Sequence, residues 1–340
     1  MVSRNTAVES LRLLKWFSGS EVLRIGVVVP CTDGKRFTAA PVQLRGFTDI
    51  RPVATRANRW VEALGAEQTR HRAVDLYKGV GWSASCDLVS AAGAQTTSVV
   101  EARVISAGLG LLSLEELVPS YSATFVPGHP DSVSSGTDPG LDNRSWWAAV
   151  NKAQQRPAPL QQLADELDGL VVAASDRYVD AISDDLAAAL DRAPIVIFSS
   201  GRPRDQRLCS VTPIFDRRLR EGPDPLVRAN DQSLNQRVAA AAIRALGTDV
   251  VDVETTSAFL AARMERPPPT RYARRAATDE TVARFIERVL LVDPAVSKSR
   301  LLRQWRDADR ACEQRRFGRI FDEVRTRLQT EEGDARVSSS

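Results

Sequence analysis

The segment from residue 170 to 199 constrains the fold most. It reads as an apolar run at 170–174, a helical pattern at 176–190 and a second apolar run at 193–199. A strand that is apolar at successive positions, rather than at alternate ones, buries both faces. Two such strands joined by a helix form a parallel βαβ unit. Residues 22–29, apart from Arg24, supply another run of this kind, and 99–106, though it holds Glu101 and Arg103, is read as a further buried strand. The expected fold is therefore α/β, a mostly parallel central sheet flanked by helices. Apolar residues at helical spacing predict helices over 7–17, 58–64, 81–92, 146–153 and 160–167. A short acidic helix is expected at 114–117, and a long surface loop rich in Gly, Ser, Pro and Asp at 127–143. Ser233 suits the cap of a helix that ends before Gly247.

The chain divides by composition near its three consecutive prolines. Residues 1–265 carry 29 basic and 31 acidic side chains, a net of −2, whereas 266–327 carry 16 and 9, a net of +7. This gives an α/β core over 1–265, a Pro/Arg-rich linker over 266–277, a basic module over 278–329 and a disordered tail over 330–340. In the module, Val282, Ile286 and Leu290 lie on one helical face, and Ser297 can cap a second helix carrying Leu301, Leu302 and Trp305. Phe317, Ile320, Phe321, Val324 and Leu328 make the apolar stripe of a third. Three short helices with a basic outer surface suit a C-terminal all-α, helix-turn-helix-like module. Lys298, Arg300, Arg303, Arg315, Arg316 and Arg319 would then face DNA phosphates. The alternative is an ordinary solvated charged face. Arginine outnumbers lysine 41 to 5, a bias to which a GC-rich genome contributes, although codon usage does not localise the charge.

Several classes are excluded. No run of about 18 apolar residues offers a membrane span, and Glu9, Arg12 and Lys15 interrupt any signal-peptide pattern. Cys31, Cys86, Cys209 and Cys312 are scattered and form no C-x-x-C pair, as expected of a reduced cytoplasmic protein without structural zinc. There is no G-x-x-x-x-G-K-[ST], no H-E-x-x-H and no zinc-deaminase signature, so no cofactor and no metal are expected.

Candidate site residues cluster where strands end, because ligands of open α/β sheets bind beyond the carboxyl ends of the strands. Asp33, with Lys35 beside it, follows the first strand; its carboxylate would orient water or stabilise a sugar cation, or else simply close a turn. Ser106 ends the second strand and leads into a loop where Gly108 and Gly110 would let a phosphate or base approach the backbone. That Gly-Leu-Gly is not a dinucleotide fingerprint, since Ser113 stands at the third glycine position. Tyr121 would stack on a base or pack on the rim. Ser175, Asp176 and Tyr178 form another strand-end cluster, with capping as the plainer role for Ser175. Ser200 and Arg202 suit an anion, and Asn235 would read a base edge from the following helix. His129 sits in a Gly-His-Pro-Asp-Ser loop similar to the His-Pro loop of uracil-DNA glycosylases; the alternative is an exposed loop histidine.

The segment L-Y-K-G at 76–79, followed by I-S-A-G-L-G-L-L-S-L-E-E-L-V-P-S-Y at 105–121, resembles the core of YaaA-like proteins. V-V-A-A-S-D-R-Y at 171–178 is similar to a second motif of that family, with Val172 and Arg177 where the family has Asn and Glu. The resemblance implies a YaaA-like or uracil-glycosylase-like fold and an association with DNA. On this basis the chain is expected to be a metal-independent DNA N-glycosylase that flips out and excises a modified base from double-stranded DNA, in repair or in anti-phage defence. Two alternatives stay open: a non-catalytic DNA-binding, protective protein, and a base-exchanging transglycosylase.

Overall fold

The computed structural model describes residues 23–37, 42–95, 98–136, 141–220, 226–265 and 275–337. The helix expected at 7–17 and most of the Pro/Arg-rich linker lie outside these residues. The chain forms two compact units that divide at Pro268 and Pro269, within the segment where the composition changes.

The first unit is an α/β domain around a five-stranded, mostly parallel sheet. Its strands are β1 (Leu23–Pro30), β2 (Ser98–Ser106), β3 (Gly110–Ser113), β4 (Gly169–Ala173) and β5 (Ile195–Phe198), in the order β3-β2-β1-β4-β5. Only β3 runs antiparallel, paired with β2. Val27, Val28, Val171, Val172, Val196 and Ile197 are wholly buried, which explains why these strands are apolar at consecutive positions. The flanking helices are α1 (Val53–Ala66), α2 (Val80–Gly93), α3 (Asn143–Ala153), α4 (Pro159–Glu166), α5 (Asp176–Ala181), α6 (Ser183–Ala189) and α7 (Leu234–Leu246). α2 packs on α7 and α1 on α3. From β1 the chain passes to β2 on one side, then crosses to β4 on the other. The reversal makes a topological switch point at the carboxyl ends of β1 and β4, the position at which such sheets bind ligands.

Local expectations need four corrections here. The acidic segment at 114–117 is no helix: Leu114 and Glu115 form a turn between β3, held extended by β2, and a strand at Leu117–Pro119 held extended by antiparallel pairing with Arg70–Arg72. The single helix at 176–190 is two, broken at Ile182. Ser233 makes no cap bond to α7; its hydroxyl donates instead to Asn230. The loop after Val126 is not all surface, since Asp131, Ser132 and Val133 are buried.

The second unit contains α8 (Asp279–Val292), α9 (Lys298–Asp307) and α10 (Gln314–Val337). Val282, Ile286, Leu301, Trp305, Phe317 and Phe321 meet in a separate apolar core, as the helical stripes predict. Ser297 Oγ accepts from Arg300 N at 3.3 Å and caps α9. Helix α10 continues through most of the segment expected to be a disordered tail.

Candidate functional site

β1 stops at Pro30, and Cys31 then bonds through its N–H to Ile105 O of β2. Residues 31–35 turn away from the end of the strand. Thr32 Oγ1 sits 2.9 Å from Lys78 O, and Lys35 pairs with Tyr77 through a short antiparallel bridge. The L-Y-K-G segment and the turn after β1 thus brace each other, which places Tyr77 and Lys35 side by side.

Beneath Lys35 lies a buried hydroxyl network. Tyr121 Oη is 2.5 Å from Ser106 Oγ and 2.9 Å from Tyr77 Oη, while Ser106 Oγ also accepts from the N–H groups of Gly108 and Leu109. Tyr178, on α5, reaches across from the end of β4 and donates to Cys31 O at 3.3 Å, with its oxygen 3.5 Å from Cys31 Sγ. Burial pushes all three tyrosine hydroxyls above their ordinary pKa, and the nearby Cys31 thiol adds to the effect. They are neutral hydrogen-bonding groups at physiological pH.

Lys35 lies half-buried above this floor. Its Nζ is 4.4 Å from the Tyr121 ring centroid and 5.9 Å from that of Tyr77, and it donates to Asp33 O at 3.3 Å. Burial lowers the pKa of the amine, while Cys31, Asp33 and Asp131 oppose the shift. Among the described residues Lys35 has no ion-pair partner within bonding distance. The Asp33 carboxylate is exposed beside it.

Of the residues expected at the site, Asp33, Lys35, Ser106, Tyr121 and Tyr178 come together, but Ser106 and Tyr121 are wholly buried, so Tyr121 presents no ring face to a base. Ser175 is exposed at the end of β4 and its side chain makes no cap bond, so capping does not account for it. Asp176 accepts from Arg177 N and lies against Gly201 of the next strand-end loop. Arg202 is exposed there, and Arg204 pairs with Asp180.

Other residues have structural roles instead. Gly108 is buried: a Cβ there would stand 2.5 Å from the Tyr121 ring and 3.2 Å from Trp60. Gly110 adopts φ +69°, and a Cβ would meet Asn151 Oδ1. The loop carbonyls are occupied as well, since Trp60 Nε1 donates to Gly108 O and Trp146 Nε1 to Ala107 O. Gly108 lets tyrosine and tryptophan approach and Gly110 lets Asn151 approach, not a ligand. Asn235 is buried and clamps two strand ends: it accepts from Ser200 N and donates to Ala174 O, leaving no edge for a base. His129 Nδ1 accepts from Asp131 N and shapes its own loop. Asp131 itself is wholly buried. Burial raises its pKa, but bonds from Arg45 and Ser122 outweigh that and hold it at about 2.

Sequence reasoning overlooked Cys31, Tyr77 and the Arg45–Asp131 pair as parts of this architecture. Tyr77 had a signal in the L-Y-K-G motif. Cys31 and Asp131 had none, because their partners lie far along the chain.

In the second unit, Lys298 pairs with Asp322, Arg316 and Arg319 both pair with Asp279, and Arg319 also pairs with Glu323. The Arg315 side chain lies outside the described residues. Arg300 and Arg303 are exposed on α9 and make no ion pair among the described residues. Their availability contrasts with the internal pairing of the other expected DNA contacts.

Among the described residues no helix is long and apolar enough to cross a membrane, and no three His, Cys, Asp or Glu side chains converge as a metal site. Comparison with known proteins finds no matching family model, no matching curated protein and no matching solved structure.

Proposed function

We propose that the chain acts on DNA and cleaves an N-glycosidic bond of a modified, flipped-out base, in repair or in anti-phage defence. The observation that carries this reading is the strand-end cluster beyond β1. It sets an exposed carboxylate, Asp33, beside an amine, Lys35, that has no ion-pair partner among the described residues, over the buried rings of Tyr77 and Tyr121. N-glycoside cleavage needs a place for an extruded base, a negative group near the anomeric carbon and phosphate contacts. Asp33 would stabilise the sugar cation or direct water. The second unit would act as a helix-turn-helix-like module, with Arg300 and Arg303 as its available phosphate contacts.

The test is incubation of the full chain with modified and unmodified duplex DNA, followed by alkali. Strand breaks mark abasic sites, and Asp33→Asn should remove them while DNA binding persists. Mobility shifts without alkali-labile sites on any modified DNA would favour a non-catalytic, protective DNA-binding protein, a reading supported by the two unpaired arginines of α9. Incorporation of a free base in place of the excised one would instead mark a base-exchanging transglycosylase.

A further inference from the structure

We propose that Lys35 Nζ is an amine nucleophile that forms a Schiff base with C1′ of an abasic deoxyribose at the end of β1 and cleaves the strand there. Reliance on the N-glycosidic reading extends only to the presence of an abasic sugar; the chemistry itself is argued from the lysine.

The first argument is residue choice. Arginine outnumbers lysine 41 to 5 in this chain, yet the cation at this strand end is a lysine. A guanidinium would serve equally for phosphate recognition or for stacking on an aromatic ring, but it does not deprotonate. Only the amine is able to attack a carbonyl.

The second argument is placement. Nζ stands over the Tyr121 ring at 4.4 Å, and its bonding partner is a backbone carbonyl, Asp33 O, rather than a carboxylate. A salt bridge would hold the amine protonated; a carbonyl holds it only weakly. The hydroxyls below are engaged with one another, leaving Nζ as the nucleophilic atom above the floor. Burial, which lowers the pKa of this amine, raises the fraction that is neutral.

The step balances without any added reagent. Neutral Nζ adds to the open-chain C1′ aldehyde, forming a C–N bond. The carbinolamine takes up a proton and loses water to give the iminium. We assign removal of a C2′ proton to the Asp33 carboxylate. The C3′–O bond then breaks and its electron pair leaves with the 3′ phosphate. Water hydrolyses the iminium and returns the free amine.

The experiment uses the full chain and a duplex oligonucleotide with one preformed abasic site, mixed with sodium borohydride. The expected product is a covalent protein–DNA adduct on a denaturing gel, with the modified tryptic peptide carrying Lys35. Lys35→Arg should reduce the adduct at least 100-fold while its thermal unfolding stays near that of the parent. Peptide mapping on the unmodified protein gives an answer independent of how the variant folds. No adduct, an undiminished adduct in Lys35→Arg, or attachment at Lys78 or Lys152 would overturn the proposal. Alkali-labile sites without a borohydride adduct would leave the N-glycosidic reading standing and remove only this inference. An adduct at Lys35 without base excision on any modified DNA would do the reverse.

Discussion

Replacing Gly108 by alanine is the sharpest test of how the loop after β2 is packed. If the glycine faces a ligand, the variant loses function and keeps its fold. The structure requires the opposite order. An alanine methyl would lie 2.5 Å from both Cδ2 and Cε2 of Tyr121, about 0.9 Å inside ordinary carbon contact, and 3.2 Å from Trp60. Both rings are wholly buried and have no open space to enter. Forcing one methyl into such packing costs roughly 1–3 kcal/mol. Moving the Tyr121 ring also stretches its hydroxyl bonds to Ser106 and Tyr77, each worth about 1 kcal/mol in a buried site. The sum is about 3–5 kcal/mol. For a domain of this size that is a fall in Tm on the order of 6–20 °C. Thermal and urea unfolding of the full chain, followed by tryptophan fluorescence, would measure it, since Trp60 and Trp146 bracket the loop. A Gly108→Ala protein with Tm within 2 °C of the parent would refute this packing. Gly110→Ala should cost at least as much, because φ +69° adds backbone strain to the collision with Asn151.

Asp131→Asn should destabilise the first unit in a pH-dependent way. The folded pKa of about 2 lies below the ordinary 3.8, so the carboxylate contributes stability above pH 4 that is lost as pH falls towards 2. The difference is worth roughly 2 kcal/mol at pH 7, and urea midpoints of parent and variant should converge near pH 2; a constant gap would contradict the assignment. Asn235→Ala should cost roughly 2–3 kcal/mol by orphaning Ser200 N and Ala174 O, with Asn235→Asp intermediate because it still accepts from Ser200 N; an Ala variant as stable as the parent would show that the clamp is not needed. Arg300→Ala combined with Arg303→Ala should lower the slope of log affinity against log salt by about 2 if each touches one phosphate of duplex DNA. An unchanged slope in fluorescence anisotropy titrations would remove α9 from the DNA interface.

The sequence by itself determined the elements whose signals are local. Consecutive apolar residues announce β1, β4 and β5, because strands buried on both faces cannot alternate, whereas β2 carries Glu101 and Arg103, exposes Val99 and is buried only over residues 104–106. The three stripes of the second unit and the Ser297 cap are equally legible, since helix periodicity and capping act within a few residues. The strand-end cluster was foreseeable in outline, because strand ends in α/β sheets gather ligand-binding groups, and Asp33, Lys35 and Tyr178 lie at such ends.

Only the tertiary structure decided which of those groups face a ligand and which face one another. Gly108 and Gly110 read as an open loop, yet Trp60, Tyr121 and Asn151 fill the space around them from outside the loop. Asn235 lies 61 residues from the Ala174 carbonyl it binds, and Cys31 lies 147 from Tyr178. Arg316 and Arg319 look available for DNA until Asp279, 37 and 40 residues earlier, is brought against them. Composition and periodicity are properties of neighbours along the chain, whereas the partner of a buried hydroxyl or a charged side chain is set by sheet order and helix docking. In this protein the placement of β1 between β2 and β4 makes a hydroxyl-lined floor out of residues spread from Cys31 to Tyr178 and leaves one lysine amine above it.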